Sequence, residues 1–225
     1  MKIVSNLAVI FDMDGVIVDT EPVYRRYNQE IFKKLDIQVD EITQRSYMGG
    51  TAKRKWSILK EKYSLPQTLE ELIELQRTIF SQKEWNYKQL FFSEALPLLK
   101  SLKKHGISTA LASSSEMRRI QTVMDQCELR EYFDEIISGE DFERGKPDPQ
   151  IFLHAAEKLG ALVSNCIVIE DSFNGLTAAK TANMHCIGVR HKQINMDLTQ
   201  ADRVVASLAD VNVDELRELF SLRHV

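Results

Sequence analysis

Three aspartates stand in the ten residues "FDMDGVIVDT", directly after the apolar run "LAVIF". If the strand continues through them, Asp12 and Asp14 lie two apart and aim their carboxylates to one side. Two like charges about 4 Å apart repel by about 4 kcal/mol even at an effective dielectric of 20. A cation or a reaction must use such a pair. The same kind of chemistry recurs later in the chain. Ser113 follows the apolar "ISTALA", Lys146 sits in "GKPDPQIF", and Glu170 and Asp171 end the apolar run "CIVIE" and open "DSFNG". Four carboxylates, a lysine and a hydroxyl suit phosphoryl transfer. A carboxylate can attack phosphorus and split one hard step into two, and Asp12 is placed for that role. Asp14 can protonate the leaving oxygen and later take a proton from water. All-oxygen ligation by carboxylates, substrate and water is a Mg²⁺ pattern. Asp12, Asp171 and the backbone carbonyl of Asp14 would ligate the ion, with Glu170 in or just behind the shell. Lys146 would offset the remaining charge, and the Ser113 hydroxyl with nearby backbone N–H groups would hold the phosphate.

Those residues need elements that bring them to one place. "LAVIF", "ISTALA", "DEIIS", "CIVIE", "CIGV" and "RVVA" read as strands. Between them come helices over "EALPLLKSLKKH", ending at Gly106; after Ser115, which is placed to cap its helix; over Pro149 to Gly160, with Asp148 as cap; and over "NGLTAAKTAN". Alternation of apolar strands with helices predicts a doubly wound α/β fold with a parallel sheet. In such sheets ligands bind at the carboxyl ends of the strands, where every residue named above falls. Residues 22 to about 88 show helical periods and no convincing strand. Tyr24, Tyr27, Ile31 and Leu35 share one face, Thr68 and Glu71 make a capping box, and Thr51 caps a helix after Gly49 and Gly50. The core is thus interrupted after its first strand by an all-helical insertion.

Single positions also have plain readings. Asp19 reads as a turn residue around Gly15, and the histidines at 105, 154, 185, 191 and 224 show no metal-ligand spacing. Cys127, Cys166 and Cys186 form no C-x-x-C pair and read as free thiols of a reducing compartment. Acidic and basic side chains number 33 and 29 and are well mixed, which excludes the basic footprint of a nucleic-acid binder. No apolar stretch reaches membrane-spanning length, and the N-terminus lacks the pattern of a signal peptide. The expectation is a cytoplasmic monomer acting on a small phosphorylated metabolite.

With its motifs in order, "DMDGVIVDT", "LASSS", Lys146 in "GKPDPQIF" and "VIEDSFNG", the chain resembles the haloacid dehalogenase superfamily over essentially its whole length. The helical insert resembles the cap of the β-phosphoglucomutase-like branch. The resemblance implies a catalytic core over residues 1–16 and 92–225, a cap over 17–91, and hinges near 16–22 and 86–93. It implies Mg²⁺ held by Asp12, Asp14, Glu170 and Asp171. Catalysis would fall to Asp12, Asp14, Ser113 and Lys146, and substrate contacts to Ser113, Ser114, Lys146, Gly49, Gly50 and Arg54. An aspartate at position 14 implies a phosphatase or phosphomutase, since the dehalogenases lack it and the ion-pumping ATPases carry threonine. The mutase carries a cap-linker histidine where this chain has Tyr24, and an arginine where Ala52 stands at or near the matching position. Both departures favour hydrolysis of a sugar phosphate over isomerisation. A relative retired from catalysis is the other class, and the intact set of acidic residues argues against it. Lys53, Arg54 and Lys55 lie in the first turn of a helix, where the macrodipole disfavours cations. Two readings stand for them: solvated surface charges, or a contact to the anionic substrate with Arg54 foremost.

Overall fold

The computed structural model describes residues 7–83, 85–191 and 195–221; His224 and the first six residues of the expected core lie outside them. In chain order the elements are β1 (Ala8–Phe11), α1 (Glu21–Lys34), α2 (Glu41–Tyr47), α3 (Ala52–Tyr63), α4 (Leu69–Ser81), α5 (Tyr87–Leu90), α6 (Ala95–Lys104), β2 (Ser108–Ser113), α7 (Met117–Gln126), β3 (Glu135–Ser138), α8 (Gln150–Lys158), β4 (Cys166–Glu170), α9 (Phe173–Thr181), β5 (His185–Val189), β6 (Arg203–Val205) and α10 (Val213–Ser221). The six strands form one parallel sheet in the order β3-β2-β1-β4-β5-β6. The fold class is therefore the expected doubly wound α/β arrangement. Its order reverses at β1, so the crevice for a ligand opens beside the ends of β1, β2 and β4.

Side chains alternate along each strand, and the sheet is covered on both faces. Val9 and Phe11 face a cluster with Leu98 and Leu102 of α6, Ile120 and Val123 of α7, and Leu216 of α10. Ala8 and Ile10 face the other cluster, with Phe152 and Ala155 of α8 and Leu176 and Ala179 of α9. Helices α1 to α4 bury a third cluster of their own: Ile31, Phe32, Tyr47, Trp56, Leu59, Leu72 and Ile79. Thr68 and Glu71 make the expected capping box at α4, and the Thr51 hydroxyl accepts from Arg54 N at the start of α3.

Two local expectations shift. Ser115 does not cap α7: Glu140 accepts from Met117 N, and the Ser115 hydroxyl donates to Asp14. Helix α8 begins one residue after Pro149, while Asp148 still caps by accepting from Gln150 N. Among the described residues no helix is long and apolar enough to cross a membrane.

Candidate active site

Strand β1 ends at Phe11, and this sets the geometry of the aspartates. Asp12 still follows the strand line, its N–H donating to the Ile169 carbonyl at 3.0 Å. The chain then turns tightly, with Gly15 N donating to Val18 O at 2.8 Å. Gly15 is required here twice over. Its φ is +80°, and a Cβ would come within 2.0 Å of Asp171 Oδ2. The turn breaks the period of two, so the two carboxylates do not face a shared cation; each meets its own.

Asp12 pairs with Lys146, whose Nζ is 2.5 Å from Oδ1. The ammonium also donates to Glu170 Oε1 at 2.9 Å and to the Ala112 carbonyl at 3.2 Å. Lys146 is fully buried, as is Glu170. The second oxygen of Glu170 accepts from the N–H and hydroxyl of Ser172. Gly175 lets it sit there, since a Cβ at that position would come 1.7 Å from Oε1. Burial pushes the Asp12 carboxyl up to about 7 against the pull of Lys146. Burial also tends to deprotonate Lys146, but its two carboxylate partners outweigh it and keep the ammonium charged.

Asp171 is different. Its carboxylate meets no protein donor among the described residues, and burial, then Glu170 and Asp12, hold its carboxyl well above the usual range. Three buried carboxylates, Asp12, Glu170 and Asp171, thus stand against one ammonium. With all three ionised the residual charge is about two, which a divalent cation on oxygen ligands would match. Among the described residues no three acidic, His or Cys side chains converge closely enough to hold a metal by themselves. The fit is therefore to an ion that takes two carboxylates, a backbone carbonyl, water and substrate, with Glu170 behind.

Asp14 is clamped by a residue that sequence reasoning missed. Arg119 of α7 forms a two-pronged pair with it, Nη2 to Oδ1 at 2.5 Å and Nη1 to Oδ2 at 2.8 Å. The Thr20 hydroxyl donates to Oδ1, and the Ser115 hydroxyl to Oδ2 at 3.0 Å. Burial opposes ionisation, but the Arg119 charge and these bonds hold the Asp14 carboxyl below its ordinary value. Asp19 does not hold the Gly15 turn through its side chain. Its carboxylate lies 2.9 Å from His191 Nε2, a histidine with no expected role, and its N–H donates to Leu90 O.

Ser113 ends β2 fully buried, its hydroxyl accepting from Ser115 N at 3.1 Å. The stretch from Ser46, at the end of α2, to Thr51 packs on these strand ends. Ser114, expected at the substrate, donates its hydroxyl to Gly49 O at 2.8 Å. Asn174, a second residue missed although "SFNG" was read, donates to Met48 O at 2.6 Å and Ser46 O at 3.2 Å. Gly49 has a φ of +72°, and a Cβ there would come 2.0 Å from Ser172 Oγ. Arg54 folds over Gly50, and its buried Nε has no hydrogen-bond partner among the described residues. Of the two readings left open for Lys55, the solvated surface charge does not hold. The residue is 7% exposed, its Nζ donating to Asn28 Oδ1 at 2.5 Å and Gln76 Oε1 at 2.9 Å, above the Trp56 ring.

Two outcomes follow from this layer. Asn174→Ala removes two bonds of about 0.5–1.5 kcal/mol each, so amide exchange over residues 46–51 should speed up by roughly tenfold while the sheet keeps its protection; unchanged exchange there would contradict the contact. Burial pulls the Lys55 ammonium down to about 7 from an ordinary 10.5, opposed by Glu21, whose own carboxyl burial pushes up to about 7. The unfolded chain therefore binds a proton at Lys55 between pH 7 and 10.5 that the fold does not, and this term makes stability rise with pH across that window. Lys55→Met should accordingly stabilise the fold by about 1–4 kcal/mol at pH 7, an advantage that shrinks to nothing above pH 10.5. Denaturant titrations at both pH values check the sign.

Comparison with known proteins supplies the family context. A family model described as haloacid dehalogenase-like hydrolase matches residues 7–183. The chain is 33% identical over 190 residues to a phosphorylated carbohydrates phosphatase of Thermotoga maritima, covering 82% of this chain and 85% of that protein. It is 31% identical over 220 residues to hexitol phosphatase B of Escherichia coli K12, covering 95% and 94%. Among solved structures, a β-phosphoglucomutase from Clostridium difficile superposes with a TM-score of 0.83 at 24% identity, covering 96% of this chain and 98% of that one.

Proposed function

This chain belongs to the haloacid dehalogenase-like hydrolase family, and we propose that within it the protein is a Mg²⁺-dependent phosphatase of small phosphomonoesters, sugar phosphates foremost, working through a phosphoaspartyl intermediate on Asp12. The observation that carries the reading is the buried set Asp12–Lys146–Glu170 at the sheet's carboxyl edge, beside Asp171, which meets no protein donor among the described residues. Its relatives named as phosphatases of phosphorylated carbohydrates and hexitols support the substrate class.

In this reading Asp14 must first leave the Arg119 fork and take up a proton from solvent; one Asp12 oxygen then attacks phosphorus, and the bond from phosphorus to the leaving oxygen breaks as Asp14 protonates that oxygen. Asp14 then takes a proton from water, which attacks the phosphoaspartate and returns Asp12 as carboxylate with inorganic phosphate. Lys146 steadies Asp12 between attacks, and Ser113, with Ser114 and Lys146, holds the phosphoryl oxygens. Asp12, Asp171 and the Asp14 carbonyl would hold Mg²⁺, with Glu170 behind; when bound, it offsets charge on the phosphoryl oxygens. The core would comprise residues 1–16 and 92–225, and the cap 17–91, moving on linkers near 16–22 and 86–93 to exclude water. Gly49, Gly50 and Arg54 would meet the far end of the substrate, the orphan Arg54 Nε being the supporting observation. The three free cysteines fit a cytoplasmic setting, and a monomer suffices for every step.

The test is phosphorus NMR of the protein with Mg²⁺ and a panel of sugar phosphates including β-glucose 1-phosphate. Inorganic phosphate should appear, stop on chelation of the metal and resume on adding Mg²⁺. Glucose 6-phosphate without free phosphate would mean a mutase instead.

A further inference from the structure

Two lysines are buried among the described residues, and the phosphoryl-transfer steps above use only Lys146. The other, Lys55 of α3, has its ammonium over the Trp56 ring at 4.4 Å, with the Phe32 ring at 5.7 Å and the Tyr47 ring at 6.0 Å. Two of its three donors go to Asn28 Oδ1 of α1 and Gln76 Oε1 of α4, and Gln76 Oε1 also accepts from Trp56 Nε1 at 2.9 Å. The third ammonium donor and the amide nitrogens of Asn28 and Gln76 meet no hydrogen-bond acceptor among the described residues. Asn28 and Gln76 are half-buried, which leaves these groups within reach of a ligand. Replacing the amine by Met is expected to stabilise the fold, so packing does not account for it. A polar group kept against stability marks a site in use.

Helix α1 connects this set to the strand ends. The Thr20 hydroxyl, one residue before α1, donates to Asp14. Glu21, Tyr24 and Asn28 then share one helix face, at i, i+3 and i+7. Tyr24 lies against Arg119, which grips Asp14, and Asn28 reaches Lys55. The face thus runs from Asp14 to Lys55 over about two turns, roughly 10 Å. That is close to the span of a six-carbon ester from phosphorus to its last hydroxyl, and beyond a three-carbon one. Glu21 links the two ends. Its carboxylate is within electrostatic reach of Asp14, Asp19 and Asp171 at the strand ends, and of Arg25, Tyr47 and Lys55 in the helices. As an ion pair or as a neutral pair, Glu21 and Lys55 carry no net charge. We propose that Glu21, Asn28, Lys55 and Gln76 form a subsite for the hydroxyl groups of an uncharged polyol leaving group, besides the contacts read for Gly49, Gly50 and Arg54. The inference rests on the phosphatase reading. The ammonium and amide donors take hydroxyl oxygens, the Glu21 carboxylate accepts from a hydroxyl, and none of the four touches the phosphoryl group.

The distinguishing readout is the length of the leaving group. A hexitol 6-phosphate and glycerol 1-phosphate are both esters of primary alcohols, so the bond to phosphorus breaks alike in the two. Their kcat/KM ratio therefore reads contacts to the far end. Lys55→Met should lower kcat/KM for the hexitol ester relative to the glycerol ester by about 10- to 100-fold, the scale of a lost hydrogen bond to a charged group. Glu21→Gln removes the anion and leaves the ammonium. It should shift the ratio between the hexitol ester and the aldonate 6-phosphate, the same chain ending in a carboxylate, toward the aldonate by about tenfold. Equal losses on the hexitol and glycerol esters, or no loss at all, would make Lys55 a structural residue and overturn the subsite. An unmoved hexitol-to-aldonate ratio in Glu21→Gln would overturn its selectivity for an uncharged chain. Failure of the unmodified protein to release phosphate from either alcohol ester would instead refute the phosphatase reading.

Discussion

Asp12→Asn should abolish turnover, with losses on the order of 10⁴–10⁶ in kcat as for other residues that form the covalent bond, while leaving the fold intact. The amide keeps the size and one acceptor oxygen, so Lys146 Nζ retains a partner at the position now 2.5 Å from Oδ1. It cannot form the acyl phosphate that divides the reaction. Burial already pushes the Asp12 carboxyl up to about 7, so a neutral side chain here costs the fold little. Thermal unfolding within a few degrees of the unsubstituted protein, together with loss of phosphate release, is the expected pair of results. Residual turnover above about one part in a thousand would move the nucleophile elsewhere.

Lys146→Met carries the largest expected effect on stability. The ammonium is fully buried and serves Asp12, Glu170 and the Ala112 carbonyl at once. Removing it strands two carboxylates, and breaking a buried pair from one side costs about 3–5 kcal/mol. Lys146→Met combined with Glu170→Gln should recover part of that loss, because one of the stranded charges goes with it. Activity should fall by about 10³-fold or more in both variants, the scale of losing a preorganised charge at a developing oxyanion. Denaturant unfolding read beside turnover separates the two effects; a single variant as stable as the unsubstituted protein would mean that Lys146 is not the counter-charge.

The strand ends were legible because each apolar run stops at a residue that chemistry can use, and a parallel sheet gathers such ends at one edge. Asp12, Ser113, Glu170 and Asp171 could be found this way, each from its own few residues, whereas Lys146 lies in the connection between β3 and α8 and was singled out by its place in "GKPDPQIF". Asp14 was legible as a functional aspartate but not in its pairing. Period-two reasoning holds only while the chain remains a strand, and β1 stops at Phe11. Arg119 was hidden because its partner is 105 residues away in sequence. The one local sign was a basic pair in the first turn of a helix, where the macrodipole disfavours it. Asn174 was hidden in the same way, since the carbonyls it holds lie over 120 residues earlier. Helix α2 was missed for a simpler reason. It has seven residues, with Ile42 82% exposed, so no apolar stripe marks it, and only the Asp40 cap on Thr43 N announces its start. Lys55 shows the converse limit: its charge pointed outward to the reader, while Asn28 and Gln76 from neighbouring helices gave it a buried seat.

The central claim is a covalent phosphoryl group on Asp12, and acid quenching during turnover tests it most directly. The protein, mixed with Mg²⁺ and a phosphorylated sugar that it cleaves and quenched within the first turnovers, should yield a peptide containing Asp12 that carries one phosphoryl group. The group should be lost on treatment with hydroxylamine, as acyl phosphates are, and be absent from Asp12→Asn. Rapid phosphate release with no such peptide, or a phosphoryl group on any other residue, would contradict the account.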